Sequence, residues 1–317
     1  MRGHADRKTL REVKSMRLRF LAVLALLAAP SLWGAAAEAP QRKLKVYISV
    51  DMEGTVGTVT GDQLGPSGFE YARYREFMTR EALAAIQAAK AAGATEILVS
   101  DSHGNGENLL LELFPPDVRV IRSWPRRLSM MAGIDESFDA VLFIGYHASA
   151  SNLKGVRAHT FSSARLTRVA VNGVEMSEGS WNAAIAGHFG VPVVMVSGDD
   201  AAVEEVRRLV GPIEAAVVKQ NLGFHSASTL TPEAAYSLIA EKVRAALARR
   251  SEFKPFRIQS PVLVEVSFKH YLMAEVAAYM PGIERTGSHS IRFTARDMLE
   301  AADIMTFLLT YGPQLEP

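Results

Sequence analysis

Four short segments of the chain join carboxylates and imidazoles in patterns that suit metal chemistry. They are Asp51-Met52-Glu53-Gly54, Asp101-Ser102-His103-Gly104, Gly145-Tyr146-His147 and Gly198-Asp199-Asp200. Asp51 and Glu53 are two residues apart, so on an extended segment both side chains point to the same side. Gly54 permits a tight turn directly after them. Two carboxylates held that close repel and raise each other's pKa unless a cation lies between them. A divalent ion resolves this. Two imidazoles with two carboxylates favour zinc, with manganese or cobalt as alternatives. A carboxylate can bridge two ions, and binuclear sites hydrolyse by activating water and polarising a carbonyl. The chain has no Cys, which excludes thiolate ligands, a cysteine nucleophile and disulfides. Any metal chemistry must therefore use His, Asp and Glu.

These segments need elements that bring them together. Each follows a strand-like apolar run: residues 45–50 (KVYISV), 95–100 (TEILVS), 140–145 (AVLFIG) and 191–197 (VPVVMVS). Residues 70–92 form an Ala-rich helix between the first two runs, a βαβ unit with parallel strands. In such sheets ligands bind outside the carboxyl ends of the strands, so the four clusters converge if the strands are neighbours. Asp101 and Asp199-Asp200 are better read as helix caps or as acceptors orienting the histidines than as ligands. His159 lies twelve residues past His147, in a loop that starts on the crevice side. An uncoordinated histidine there suits proton transfer near neutral pH. Glu175 and Glu178 flank the exit of a hairpin marked by Asn172-Gly173, and spacing does not choose between them.

The remaining pattern extends this plan. Residues 180–189 and 201–209 read as helices. Beyond about residue 215 come a helix over 232–250, a strand over 262–268, a helix over 270–279, a strand over 290–294 and a closing helix over 295–310. The expected fold class is α/β, with a mostly parallel core sheet flanked by helices and a second, smaller α/β lobe. The expected division is a leader over 1–40, a metal-binding core over 41–214 and the lobe over 215–317.

Residues 1–40 hold seven Lys/Arg and three Asp/Glu, whereas the remainder holds 28 basic and 31 acidic residues. The body is mildly acidic, which argues against nucleic-acid binding. The leader reads as an export signal. Met16-Arg17-Leu18-Arg19 is a basic start, residues 20–29 are apolar, and Ala35-Ala36-Ala37 suits cleavage, with Met16 as the expected true start. The apolar run is short for a membrane span, so no membrane insertion is expected after cleavage. The expected location is a bacterial periplasm.

Taken together, the segments resemble the M55 zinc D-aminopeptidase family. Ser49-Val50-Asp51-Met52-Glu53-Gly54 resembles its opening motif, Asp101-Ser102-His103 its second and Gly145-Tyr146-His147-Ala148 its third. Ala158-His159-Thr160 matches the position of its catalytic histidine, and Glu178-Gly179-Ser180-Trp181-Asn182-Ala183 its last metal carboxylate. Further similar segments include Val196-Ser197-Gly198-Asp199-Asp200 and Ala216-Val217-Val218-Lys219-Gln220, and the resemblance spans roughly residues 44–310.

The resemblance implies two zinc ions per subunit on Asp51, Glu53, His103, His147 and Glu178, with Asp51 bridging. It implies a catalytic His159, short peptide substrates with an N-terminal D-residue such as D-Ala-D-Ala, and attack by metal-activated water. It also implies a ring-like homo-oligomer. Trp181 departs from the family pattern and is expected to reshape the substrate pocket. The alternatives are an exported amidase or aminopeptidase for L-peptides or other amides, and a non-catalytic metal- or peptide-binding protein.

Overall fold

The computed structural model describes residues 43–311, and the expected leader lies outside them. In chain order the first half comprises β1 (Leu44–Val50), α1 (Tyr71–Ala91), β2 (Ala94–Asp101), β3 (Arg119–Ile121), β4 (Ala140–Tyr146), β5 (Leu166–Val171), β6 (Val174–Glu175) and α2 (Glu178–His188). The second half comprises β7 (Val193–Asp199), α3 (Asp200–Val210), β8 (Glu214–Gly223), β9 (Ser226–Thr229), α4 (Pro232–Ala248), β10 (Val262–Phe268), α5 (Tyr271–Ala277), β11 (Ile283–Gly287), β12 (Ser290–Ala295) and α6 (Met298–Thr310).

The larger sheet has the order β3-β2-β1-β4-β7-β8-β9 and is parallel except for the final β8–β9 pair. Val46 is in register with Ile97 of β2 on one side and Ala140 of β4 on the other. The chain builds outward from β1 through β2 and β3, then returns to add β4, β7 and β8 on the opposite side. The reversal lies between β1 and β4, the place where open parallel sheets bind ligands. Almost every residue of β1, β4 and β7 is buried, which explains their continuous apolar runs. On one face, Met78, Ala82 and Ile86 of α1 and Ile239 and Val243 of α4 close the core.

The other face packs on α2, whose residues 178–187 are all buried. A second sheet, antiparallel in the order β11-β12-β10-β5-β6, covers the far side of that core. In β10, Val262, Val264, Val266 and Phe268 alternate into it. The hairpin turn at Asn172-Gly173 has φ of 49° and 80°, as a type I′ turn requires.

The two sheets do not follow one another along the chain. Residues 166–171 pair with β10 and residues 174–175 add β6 to the edge of that smaller sheet, whereas residues 214–229 extend the larger one. Four strands had no clear signal in the sequence: β3 is three residues long, β8 carries Lys219, Gln220 and Asn221, β9 is Ser226–Thr229, and β11 is largely exposed. Among the described residues no helix is long and apolar enough to cross a membrane.

Candidate metal centre

Three adjacent strand ends and one helix start bring the expected residues into one crevice. Asp51 follows β1, His103 follows β2, His147 follows β4, and Glu178 opens α2. Two glycines let the turn after β1 lie against the end of β4. The Gly54 N–H donates to the Gly145 carbonyl at 2.7 Å, and a Cβ on Gly54 would sit 2.0 Å from the Tyr146 oxygen. Gly145 has φ +72°, and a Cβ there would sit 2.2 Å from the Asp51 carbonyl oxygen.

His103 Nδ1 lies 2.8 Å from Glu53 Oε2 and 3.4 Å from Asp51 Oδ1. His147 Nε2 lies 3.3 Å from both Asp51 Oδ2 and Glu178 Oε1. Asp51 thus presents one oxygen to each imidazole. His159 Nε2 lies 3.9 Å from Glu53 Oε1 and 3.8 Å from Glu178 Oε1, and its ring stacks on His147 at 4.0 Å. Two groups of potential ligand atoms result, Asp51–Glu53–His103 and His147–His159–Glu178, each within 4.8 Å of one another.

Each histidine's remote nitrogen meets a backbone carbonyl: His103 Nε2 on Leu64 at 2.7 Å, His147 Nδ1 on Ala148 at 3.0 Å and His159 Nδ1 on Arg157 at 2.9 Å. This network assigns the proton to the remote nitrogen and leaves the facing one as a lone pair, the tautomer a metal requires.

Without a cation, the cluster draws protons into its place. Burial and the neighbouring charge of Glu53 push Asp51 up to about 7. Burial opposes charge on His147, but Glu178 and Asp51 outweigh it and lift the ring to about 10. Burial and the His147 charge push His159 down, so it is neutral near pH 7. Asp51 Oδ2 and His147 Nε2 are buried without a hydrogen-bond partner although they face each other. A carboxylate oxygen and an imidazole nitrogen orphaned in this way are the donor pair that a divalent cation satisfies, so the residues fit the expected metal.

The supporting residues sort into distinct tasks. Asp101 accepts from the N–H groups of Asn108 and Leu109 and from Asn108 Nδ2, at 2.6, 2.8 and 2.8 Å. Asn108 Nδ2 also donates to the His103 carbonyl at 2.6 Å, so Asp101 shapes the loop that carries His103. Asp199 caps α3 through the Ala202 N–H at 2.7 Å and accepts from Val156 at 2.6 Å. Glu175 lies on β6, in neither ligand group. Asn182 of α2 donates to the Tyr146 hydroxyl at 2.9 Å, which donates to Ser49 at 2.7 Å, tying Glu178's helix to β4 and β1.

Sequence reading missed two residues. Lys219 is fully buried on β8, and its ammonium donates to the carbonyls of Glu53, Thr55 and Thr58. Glu81 of α1 accepts from the Val56 N–H at 2.8 Å. Together they clamp the loop that presents Glu53. Burial pushes Lys219 down to about 8 and Glu81 up to about 8. Glu81 had a signal, because it falls on the buried stripe of Met78, Ala82 and Ala85. Trp181, expected at the pocket, is instead in the core and packs edge-on against Phe161 at 5.6 Å. Phe161 is the residue that lines the cleft of about 320 Å³ beside Asp51, Glu53, His103, His159 and Glu178.

Comparison with known proteins decides the family. The model of the M55 peptidases, described as D-aminopeptidases, matches residues 44–307. The chain belongs to the M55 peptidase family. As an M55 metallopeptidase it is similar to a D-aminopeptidase of Bacillus subtilis (strain 168), 37% identical over 263 residues that cover 83% of this chain and 95% of the relative. It also resembles a solved structure described as the Zn-dependent D-aminopeptidase DppA from Bacillus subtilis, a self-compartmentalizing protease. That match has a TM-score of 0.81 and 36% identity, and it covers 86% of this chain and 100% of the other.

The Glu81 clamp generates a pH prediction. Its folded-state pKa, raised from 4.5 to about 8, makes the neutral form the stable one, so its contribution is present below pH 4.5 and is lost as pH rises through about 8. Lys219 is protonated in both folded and unfolded chains below about 8 and adds no slope there. Glu81→Gln keeps an acceptor for Val56. Relative to this variant, the wild-type M55 peptidase should lose about 1 kcal/mol of unfolding free energy per pH unit between pH 5 and 8. Parallel urea titrations check this, and identical slopes would refute it.

Proposed function

We propose that this M55 peptidase removes the N-terminal residue from short peptides that begin with a D-amino acid, such as D-Ala-D-Ala. Asp51, Glu53, His103, His147 and Glu178 would hold two zinc ions per subunit. The observation that carries the reading is the pair of facing, unpartnered buried atoms, Asp51 Oδ2 and His147 Nε2. The substrate class is supported by 37% identity to the Bacillus D-aminopeptidase across most of both chains. Bound zinc supplies Lewis acidity, which polarises the scissile carbonyl and lowers the pKa of water.

The chain's own residues supply the remaining steps. His159 is 13% exposed at its side chain, the most open of the three site histidines, so it can reach substrate. Its Nδ1–H is anchored on Arg157, which leaves Nε2 free to take a proton from the attacking water and pass it to the leaving amine. Phe161 limits the side chain that fits beside Glu178. The mature enzyme works in a bacterial periplasm, a reading that rests on residues 16–37, where cell-wall turnover yields D-residue peptides. It assembles as a homo-oligomer, a reading supported by the solved relative's description as self-compartmentalizing.

Metal analysis of the purified enzyme should find about two zinc ions per chain. D-Ala-D-Ala hydrolysis should vanish on chelation and return with zinc, and L-Ala-L-Ala should be the poorer substrate. Turnover that survives full metal removal would overturn the mechanism, and equal or faster L-peptide turnover would overturn the substrate assignment. His159→Ala should keep its zinc and lose about 10²–10⁴ in kcat. Near-full activity in that variant would remove His159 from the mechanism.

A further inference from the structure

The metal cleft opens into two arms of different character. One runs past Phe161 and Glu178 to Trp124, Met130 and Leu309. The other runs past His159 to Arg157, His225 and Lys269, and no Asp or Glu lines it. Arg157 borders both the metal cleft and this cationic arm.

Arg157 is held in a definite position. Its φ is +57°, a left-handed conformation that is strained for an arginine and is found where the surroundings impose it. Its N–H donates to the Phe224 carbonyl at 3.0 Å, and its own carbonyl accepts from His159 Nδ1 at 2.9 Å. The guanidinium lies over the Phe224 ring, 5.3 Å from its centre, with one nitrogen 2.9 Å from His225 Nε2. It pairs with no carboxylate among the described residues, and its buried Nε has no hydrogen-bond partner. Lys269, anchored on the Ser163 carbonyl, adds a second cation to the arm.

We propose that Arg157 is a specificity-determining residue that binds the C-terminal carboxylate of the peptide, assisted by Lys269. A guanidinium presents a planar fork that fits a carboxylate through two parallel hydrogen bonds. A dipeptide spans roughly 7 Å from amine to carboxylate, which suits an anchor beside the histidine that serves its scissile bond. A longer chain carries its carboxylate beyond the fork, so Arg157 selects for short substrates as well as for a free C-terminus. This inference rests on the aminopeptidase reading.

The test uses the zinc-loaded enzyme with D-Ala-D-Ala and its C-terminal amide, which lacks the anion but keeps the scissile bond. Wild-type enzyme should favour the free acid by about 10–100-fold in kcat/KM. Arg157→Gln should abolish that preference by raising KM for the free acid about 10–100-fold, with kcat nearly unchanged. The rate on the amide should fall far less than that on the free acid, and unchanged circular dichroism and zinc content should show that the variant is folded. Arg157→Lys should recover part of the preference. An equal loss on both substrates, or a wild-type enzyme indifferent to the carboxylate, overturns the role of Arg157. A wild-type enzyme that cleaves neither substrate overturns the aminopeptidase reading itself, and this inference with it.

Discussion

Asp51, Glu53 and Glu178 are buried within reach of one another, alongside three imidazoles. Burying like charges together is unfavourable unless positive charge is supplied. Lys219 is the nearby buried cation, yet it is directed at the backbone carbonyls of the 53–58 loop and not at the carboxylates. The imidazoles are turned by their remote nitrogens so that lone pairs face inward. The cluster is therefore built around an incoming cation, and much of the fold serves to hold it in that state.

The elements contribute in different ways. The reversal of strand order between β1 and β4 opens the crevice. Gly54 and Gly145 let two backbones close to distances no side chain would permit. Helix α2 is buried along its length, so Glu178 is fixed by packing from both sheets. Ser177 and Ser180 form a capping box at that helix start, and the helix N-terminus offsets part of the Glu178 charge. Residues 157–161 add a segment with left-handed backbone at Arg157 and Phe161 on either side of His159. That local strain places a guanidinium, an imidazole and an aromatic ring along one cleft.

Much of this was legible in the sequence because the parallel strands are buried on both faces and read as unbroken apolar runs. Each ends in the residues it presents, so strand order was the missing information, and the structure brings all four strand ends side by side. The helices were legible to within two or three residues for the same reason: Ala-rich segments with a buried stripe have few alternatives. The membership of the sheets was not legible. β5 pairs with β10 about ninety residues downstream, and no local pattern encodes that partnership. Lys219 looked like the polar end of an apolar segment, because what it satisfies is a set of carbonyls supplied by a loop over 160 residues earlier. Trp181 illustrates the converse: its type was conspicuous, but its direction depends on α2 lying between two sheets.

The most direct test of the account is anomalous diffraction from zinc-soaked crystals at the zinc absorption edge. The account predicts two peaks, one among Asp51, Glu53 and His103 and the other among Asp51, His147 and Glu178, with Asp51 contributing an oxygen to each. A single peak, or two peaks that do not share Asp51, would contradict the bridging arrangement on which the reading of the site depends.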